Sequence, residues 1–205
     1  MKNKVTVAIL ALIFIVYTLV VNLFPQVTQW DVSTIIKVQE NLKDYPLCAA
    51  QLAGLWLYIL FLVIPVAIGT VYFFRKYLLI DMILFASSPI VAYVFSHIVK
   101  EIVHRPRPPL ELQLGYHSNS CSYVSTHTLT TTVLWCLTVY YLIKYCKNKF
   151  IKYFSIGLGT FWIIFEGFSR IWCGVHNPTD VVGGYLLAAI IVLVYIDVIK
   201  LIGGK

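Results

Sequence analysis

Three short polar blocks interrupt a chain that is otherwise strongly apolar: Lys100 with Arg107-Pro108, then Ser125-Thr126-His127, then Ser169-Arg170 with His176 and Asp180. Charged and imidazole side chains at membrane depth are costly, so they mark functional positions by default. Together the blocks hold three cations, two histidines and a carboxylate, a set able to hold a phosphate and cleave it. Phosphoryl transfer is mostly positioning plus stabilisation of charge spread over the equatorial oxygens. Lys100, Arg107 and Arg170 supply that charge, the arginines as planar forks that match phosphate oxygens. Backbone donors at Ser125-Thr126 add to them. One imidazole can attack phosphorus and become a phosphohistidine. A second can protonate the leaving oxygen and then activate water, with a carboxylate orienting the nucleophile. Three cations do the work of a metal, and no Cys/His spacing resembles a zinc site.

The elements that must position these groups are helices. The 205 residues are 60% hydrophobic and 12% charged, with mean hydropathy +0.82; a soluble domain carries about 25% charged residues. Six apolar stretches, 5–24, 49–74, 78–99, 128–145, 153–168 and 181–199, approach the ~20 residues of a spanning helix. Without a linker, low-complexity tract or repeat, the sequence predicts one all-α membrane domain over 1–205. The first stretch follows Lys2 and Lys4 like a secretory signal, but it is too long and lacks a small-x-small cleavage site, and we expect a membrane helix. Between the first two stretches, Val32, Ile35, Ile36 and Leu42 recur at near-helical spacing, with Gln39 interrupting. This predicts an interfacial amphipathic helix without evident chemistry.

The blocks fall at helix ends. Lys100 closes the third stretch. His104-Arg105-Pro106-Arg107-Pro108-Pro109 cannot be helical throughout, because its prolines fix φ and remove donors. Ser125, Thr126 and His127 precede the fourth stretch, where helix N–H groups favour an anion; Ser125 or Thr126 can equally be an ordinary N-cap. Asn177-Pro178 reads as a helix start, with Asn as cap and Pro at the first position. His176 and Asp180 are then one turn apart. Glu166, a turn before Arg170, is either that arginine's partner or a buried structural carboxylate.

With the N-terminus inside, the inner ends collect Lys2, Lys4, Arg75, Lys76, Lys144, Lys147, Lys149, Lys152, Lys200 and Lys205. The outer side holds Lys37, Lys43, Lys100, Arg105, Arg107 and Arg170. The bias predicts both termini in the cytoplasm and the blocks on the extracytoplasmic side. The net charge of +7 is a topology signal, since no basic patch on a soluble face points to nucleic acid. Cys48, Cys121 and Cys173 fall near the outer face, and a Cys121–Cys173 disulfide would tie two site loops together. Cys136 and Cys146 belong to the fourth stretch and its inner end.

The spacings Lys100-x6-Arg107-Pro108, Ser125-x-His127 and Ser169-Arg170-x5-His176-x3-Asp180 resemble the three signatures of the type 2 phosphatidic acid phosphatase (PAP2) superfamily. The motifs span residues 100–180, and the six-stretch layout extends the likeness along the chain. The resemblance implies a PAP2-type helical bundle with His176 as nucleophile, Asp180 orienting it, and His127 as general acid and base. Lys100, Arg107, Arg170, the Ser125 hydroxyl and the backbone about Thr126 would hold the phosphate. Arg105-Pro106 is a competing pair, but its spacing from Lys100 is four rather than six, which favours Arg107. One block departs from the pattern: the family has Pro-Ser-Gly-His where this chain has Val124-Ser125-Thr126-His127. Threonine lacks the backbone freedom of glycine, which affects the backbone contact but leaves both histidines in place. His97, His104 and His117 have no motif role; His117 and Arg105 are candidates to touch a headgroup.

The expected protein is therefore an integral lipid phosphatase of the inner membrane acting through a phosphohistidine, without metal or other cofactor. Its partners are the bilayer and a lipid phosphate or diphosphate: undecaprenyl diphosphate, phosphatidic acid, phosphatidylglycerol phosphate or lipid A, with the polyprenyl diphosphate favoured. Vanadate-binding haloperoxidases share the pocket but are soluble. A non-catalytic lipid-binding or lipid-moving protein with a degenerate pocket is the alternative of another class. Oligomeric state is open at this level.

Overall fold

The computed structural model describes residues 3–43, 47–76, 78–114 and 120–202, with the side chains of 47–59 left aside. Seven α-helices account for most of them: α1 (Lys4–Leu23), α2 (Pro25–Asn41), α3 (Leu47–Arg75), α4 (Leu79–Val103), α5 (Thr126–Tyr145), α6 (Lys149–Trp172) and α7 (Pro178–Ile202). Each of the six apolar stretches lies within a helix to within a few residues. The helices overrun the stretches because hydropathy follows contact with lipid, whereas the hydrogen-bonded helix continues into the polar ends. Lys100 therefore sits inside α4, Thr126 and His127 form the first turn of α5, and Ser169-Arg170 the last turn of α6.

Three of the described helices, α1, α4 and α7, are long and apolar enough to cross a membrane, and Leu60–Arg75 of α3 is a shorter apolar helix. Helices α5 and α6 fall short of that hydropathy for different reasons. Helix α5 packs against α3, α4, α6 and α7, so protein rather than lipid surrounds it, and its threonines are tolerated. Thr130 and Thr132 return their hydroxyls to the carbonyls of Thr126 and Thr128 at 2.8 and 2.7 Å, which satisfies them locally. Helix α6 begins at Asn148, whose side chain accepts from the Ile151 N–H. The molecular surface is rich in large apolar side chains, among them Leu12, Ile68, Phe74, Ile102 and Phe150. A surface of this kind on helices of this length is that of a multi-pass membrane protein.

Two devices place the polar blocks. Phe24 ends α1 in an extended conformation and Pro25 opens α2, so the chain turns sharply where the missing proline N–H costs nothing. Helix α4 ends on His104 in the left-handed region, φ 50°, and the proline strap 104–109 follows. As expected it is not helical; a single 3-10 turn, Leu110–Leu112, comes after it. Helix α7 approaches the start of α5 closely. A Cβ at Gly183 would stand 2.6 Å from the Tyr123 ring and one at Gly184 3.2 Å from the Ser125 carbonyl. Small residues let helices meet where lipid offers no hydrophobic drive for association. Gly174, at φ +64° with a Cβ position blocked by the Leu112 carbonyl, turns the chain from α6 into the loop that carries His176.

The α2 helix differs from its sequence reading. Its buried face carries Asp31 and Ile35, and Gln39 points into the body, donating to the carbonyls of Leu112 and Trp172 at 2.8 and 3.0 Å. Ile36 faces outward. The helix is amphipathic, but its inner face holds polar groups that bind the site loops.

Candidate active site

The ends of α4, α5, α6 and α7 meet at one end of the bundle, and α2 lies against them. His176, in the loop before α7, is 3% exposed. Its Nδ1 lies 3.6 Å from Oδ2 of Asp180 and 3.5 Å from the Ser122 hydroxyl. On the other side of the ring, Nε2 faces Nη1 of Arg107 at 3.5 Å. The imidazole thus has a carboxylate behind it and a guanidinium in front. At 3.6 Å the His–Asp contact is an ion-pair distance rather than a hydrogen bond, and catalytic bonds of this kind tighten when substrate binds.

Asp180 is saturated. Its Oδ1 accepts from Nη1 of Arg105 at 2.5 Å, while Oδ2 accepts from the Ser122 hydroxyl and from the Asn177 N–H at 2.9 Å. The last bond is the side-chain-to-backbone half of a capping box. Asn177 is the N-cap residue as expected, its carbonyl accepting from the Asp180 and Val181 N–H groups at 3.0 and 3.3 Å, but the side-chain capping bond comes from Asp180 reaching back, and Asn177 Oδ1 has no partner among the described residues. Burial is the largest influence on His176 and lowers its pKa to about 4, with Arg107 and Lys100 adding to the effect and Asp180 opposing it. Burial thus favours the neutral imidazole, the form of the ring with a free lone pair.

The cations form the opposite wall. Lys100, 3% exposed, donates from Nζ to the carbonyls of Cys121 and Ser122 at 2.6 and 3.1 Å. Arg107 donates from Nε to the Ser120 carbonyl at 2.9 Å, from Nη2 to the Ser120 hydroxyl at 3.0 Å and from Nη1 to the Val175 carbonyl at 2.5 Å. Arg170 has its Nε 3.1 Å from the Ser169 hydroxyl and 3.4 Å from Oε1 of Glu166. Glu166 is fully buried, so both readings of it hold: it is a buried carboxylate and it lies beside that arginine. His127 is partly exposed, and the fields of Arg170, Arg107 and Lys100 converge on it. A bound dianion would balance that convergence.

The second block is placed less openly than expected. Ser125 is buried; its hydroxyl accepts from Thr128 at 3.0 Å and its N–H donates to the Asp180 carbonyl at 3.2 Å. In this arrangement the Ser125 hydroxyl braces the turn. Ser125 is the N-cap residue of α5, without a side-chain capping bond. The Thr126 hydroxyl shares a 3.0 Å hydrogen bond with Ser96 of α4, a contact that glycine could not make.

Three further differences separate the site from its sequence reading. Arg105 does more than border a groove: it is 5% exposed and bridges Asp180 to Asp31 of α2, with Nη2 2.7 Å from Asp31 Oδ2. Asp31 and Ser122 went unnoticed in the sequence; the one signal was a carboxylate one turn before Ile35 on the apolar face of α2. Cys121 and Cys173 are both free thiols, so the site loops are joined by hydrogen bonds such as Leu114 N–H to the Cys173 carbonyl at 3.0 Å in place of a disulfide. Of the histidines without a motif role, His97 lies tilted against Tyr93 with centroids 4.3 Å apart, His104 caps α4, and His117 lies outside the described residues. Among the described residues no three His, Cys, Asp or Glu side chains gather as metal ligands.

A groove of about 700 Å³ leads to the site between α2 and the proline strap, lined by Thr28, Gln29, Ser33, Arg105, Arg107 and Asn177 among others. Its mixed lining suits a polar headgroup carried on an apolar tail.

The chain is 26% identical over 140 residues to phosphatidylglycerophosphatase B of Bacillus subtilis (strain 168), covering 65% of this chain and 64% of that protein. It is 27% identical over 107 residues to sphingosine-1-phosphate phosphatase 1 of Mus musculus, 50% of this chain and 24% of that one. It thus spans just under two thirds of the first relative and about a quarter of the second. The fold matches the crystal structure of a transmembrane PAP2-type phosphatidylglycerolphosphate phosphatase from Bacillus subtilis, with TM-score 0.76 at 20% identity over 95% of this chain and 96% of that one. The PAP2 superfamily model matches residues 81–202, from the first turn of α4 to the end of α7 and hence across all three polar blocks, and on that match the chain belongs to the PAP2 superfamily.

Proposed function

We propose that this protein is a membrane lipid phosphatase that cleaves a lipid phosphomonoester through a phosphohistidine on His176. One observation carries the reading: a neutral, buried imidazole with Asp180 at Nδ1 and Arg107 at Nε2. In the first step His176 Nε2 attacks phosphorus and the bond to the lipid oxygen breaks, with His127 giving that oxygen its proton. In the second, His127 takes a proton from water, the oxygen of that water attacks phosphorus, and the P–N bond breaks to release inorganic phosphate. Lys100, Arg107 and Arg170 stabilise the charge on the equatorial oxygens, so the reaction is proposed to need no metal.

The topology belongs to the same proposal. Helices α1, α3, α4, α5, α6 and α7 span the inner membrane as one unit, α2 lies at the interface, and the site faces the extracytoplasmic side. The basic ends Lys4, Arg75, Lys76, Lys144 and Lys149 lie at the opposite helix ends from the site, which supports cytoplasmic termini.

The substrate class is sharpened relative to the sequence reading. Both named relatives are called after lipids bearing a phosphate monoester, which favours phosphatidylglycerol phosphate or phosphatidic acid over undecaprenyl diphosphate and lipid A. The test is phosphate release by the purified full chain from each of these four lipids in mixed micelles, with and without EDTA. Fastest release from a glycerophospholipid monoester, undiminished by EDTA, is the expected result. His176→Ala should lower it by about 10⁴-fold; release by that variant at the parent rate would sink the phosphohistidine, and no release from any lipid would favour a non-catalytic lipid-binding protein.

A further inference from the structure

Arg105 stands outside the predicted phosphate-binding set, yet it forms ion pairs with two buried carboxylates. Its Nη1 donates to Asp180 Oδ1 at 2.5 Å and to the Thr179 hydroxyl at 2.8 Å, and its Nη2 to Asp31 Oδ2 at 2.7 Å. The ring of contacts closes through Thr179, whose hydroxyl donates to Asp31 Oδ2 at 2.6 Å and whose N–H donates to Asp31 Oδ1 at 3.0 Å. Asp31 therefore binds a helix N-terminal N–H of α7 from a different helix, where a negative charge is favoured. The Arg105 carbonyl in turn accepts from the Ser122 N–H at 2.8 Å, and Ser122 donates its hydroxyl to Asp180.

We infer that Arg105, clamped between Asp31 of α2 and Asp180 of α7, is a positioning residue for the Asp180–His176 pair, and that α2 is thereby part of the catalytic framework. Lysine cannot replace it, because a single ammonium does not span two carboxylates and a hydroxyl in one plane. The Asp180 carboxylate has one oxygen fixed by the guanidinium, which leaves the other facing His176. A misplacement of that carboxylate by about 1 Å is enough to cost about 100-fold in rate.

The clamp also has an electrostatic consequence. His176 feels Asp180 and Ser122 on one side, and Arg107, Lys100 and His127 on the other. Asp180 in turn feels Arg105, and Tyr17 of α1, Tyr123 and Asp31 lie in the same field. The Arg105 charge offsets part of the Asp180 field that would favour an imidazolium. Removing the charge strengthens Asp180's pull on the proton, so the acid limb of activity moves to higher pH. Removing only the forked geometry leaves the limb in place and lowers kcat.

The inference rests on the phosphatase reading for its kinetic arm, and a second arm is independent of activity. Arg105→Gln, Arg105→Lys and Asp31→Asn are purified as full chains in micelles and assayed for phosphate release from phosphatidic acid, with folding followed by thermal melting. Arg105→Lys should lose about 100-fold in kcat with KM within about twofold of the parent and an unmoved acid limb. Asp31→Asn should lose kcat in the same sense by a smaller factor. Arg105→Gln should shift the limb upward; if that variant does not fold, the other two decide. Ring ¹⁵N NMR of His176, assigned by its loss in His176→Ala, should show the same upward titration shift in Arg105→Gln without reference to any substrate. Folded Arg105→Lys with the parent's kcat, or losses that only follow the folded fraction, would overturn the inference. A parent that releases no phosphate would strike the proposed function instead, and the NMR titration would still judge the clamp.

Discussion

Two arginines two residues apart define the two sides of this site, and they do opposite work. Arg105 on the α7 side is enclosed with two carboxylates, Asp31 and Asp180, both fully buried. Arg107 on the cation side is partly exposed and donates to the oxygens of Ser120 and Val175, beside His176. On the first side the charge is matched by acids and fixes geometry. Breaking a buried pair of that kind by removing one partner costs about 3–5 kcal/mol, because the other charge is left unmatched. On the second side Lys100 and Arg107 are held by carbonyl and hydroxyl dipoles, and Arg107 faces the imidazole that would attack. A site of this design is rigid where it must hold a carboxylate and positive where it must receive an anion.

That comparison can be broken first at Arg107. Arg107→Gln should reduce kcat/KM for a lipid phosphate by about 10²- to 10³-fold while the melting temperature changes little, since its contacts lie at the site mouth. A large loss of stability with little loss of turnover would mean that Arg107 belongs to the framework and the two sides are not distinct.

The pH response sharpens the contrast by a smaller margin. The His176 pKa of about 4 in the folded protein lies below its ordinary 6.5. Between these values the unfolded chain binds a proton that the folded chain refuses, so stability falls as pH is lowered from about 6.5 to about 4 and levels off below. The acid limb of kcat/KM, which reports the free enzyme, should likewise lie near pH 4 rather than near 6.5. Melting and rate profiles across this range measure both, and a limb at the ordinary imidazole value would show that burial is not the dominant influence on His176.

The smallest expected effect is at Thr126. Thr126→Gly removes the 3.0 Å bond to Ser96, worth about 1 kcal/mol, and adds the backbone freedom of glycine. A modest drop in melting temperature and a change in kcat below about tenfold are expected from a residue that braces α5 against α4; a larger rate change would place Thr126 in direct contact with the phosphate.

Much of the fold was legible because lipid imposes a simple rule on sequence. Runs of apolar residues long enough to cross the bilayer had to become helices, and the helix start at Pro178 follows from proline chemistry. The ends were less legible: Lys100, His127 and Arg170 all lie within helices, since hydrogen bonding continues past the lipid-facing stretch. Of the site, His176, His127, Asp180, Lys100, Arg107 and Arg170 were readable from residue type and spacing, and the structure brings them to one end of the bundle. Ser125 was readable by position but not by orientation, as its hydroxyl bonds Thr128. The Cys121–Cys173 disulfide was inferred from proximity in sequence to the site, and nearness of loops does not align two thiols.

By itself the sequence determined the chemistry available: which groups carry charge, which can attack phosphorus, and that they lie at the ends of apolar helices. Those are properties of residue types and of short spacings, and they do not depend on distant contacts. Only the tertiary structure decided that Arg105, two residues before Arg107, is bound to Asp31, 74 residues away. It also decided that Asp31 and Ser122 belong to the site. The reason is physical: a side chain's role is set by the partners that desolvate and neutralise it, and for Arg105 those partners come from α2 and α7, which no local pattern connects.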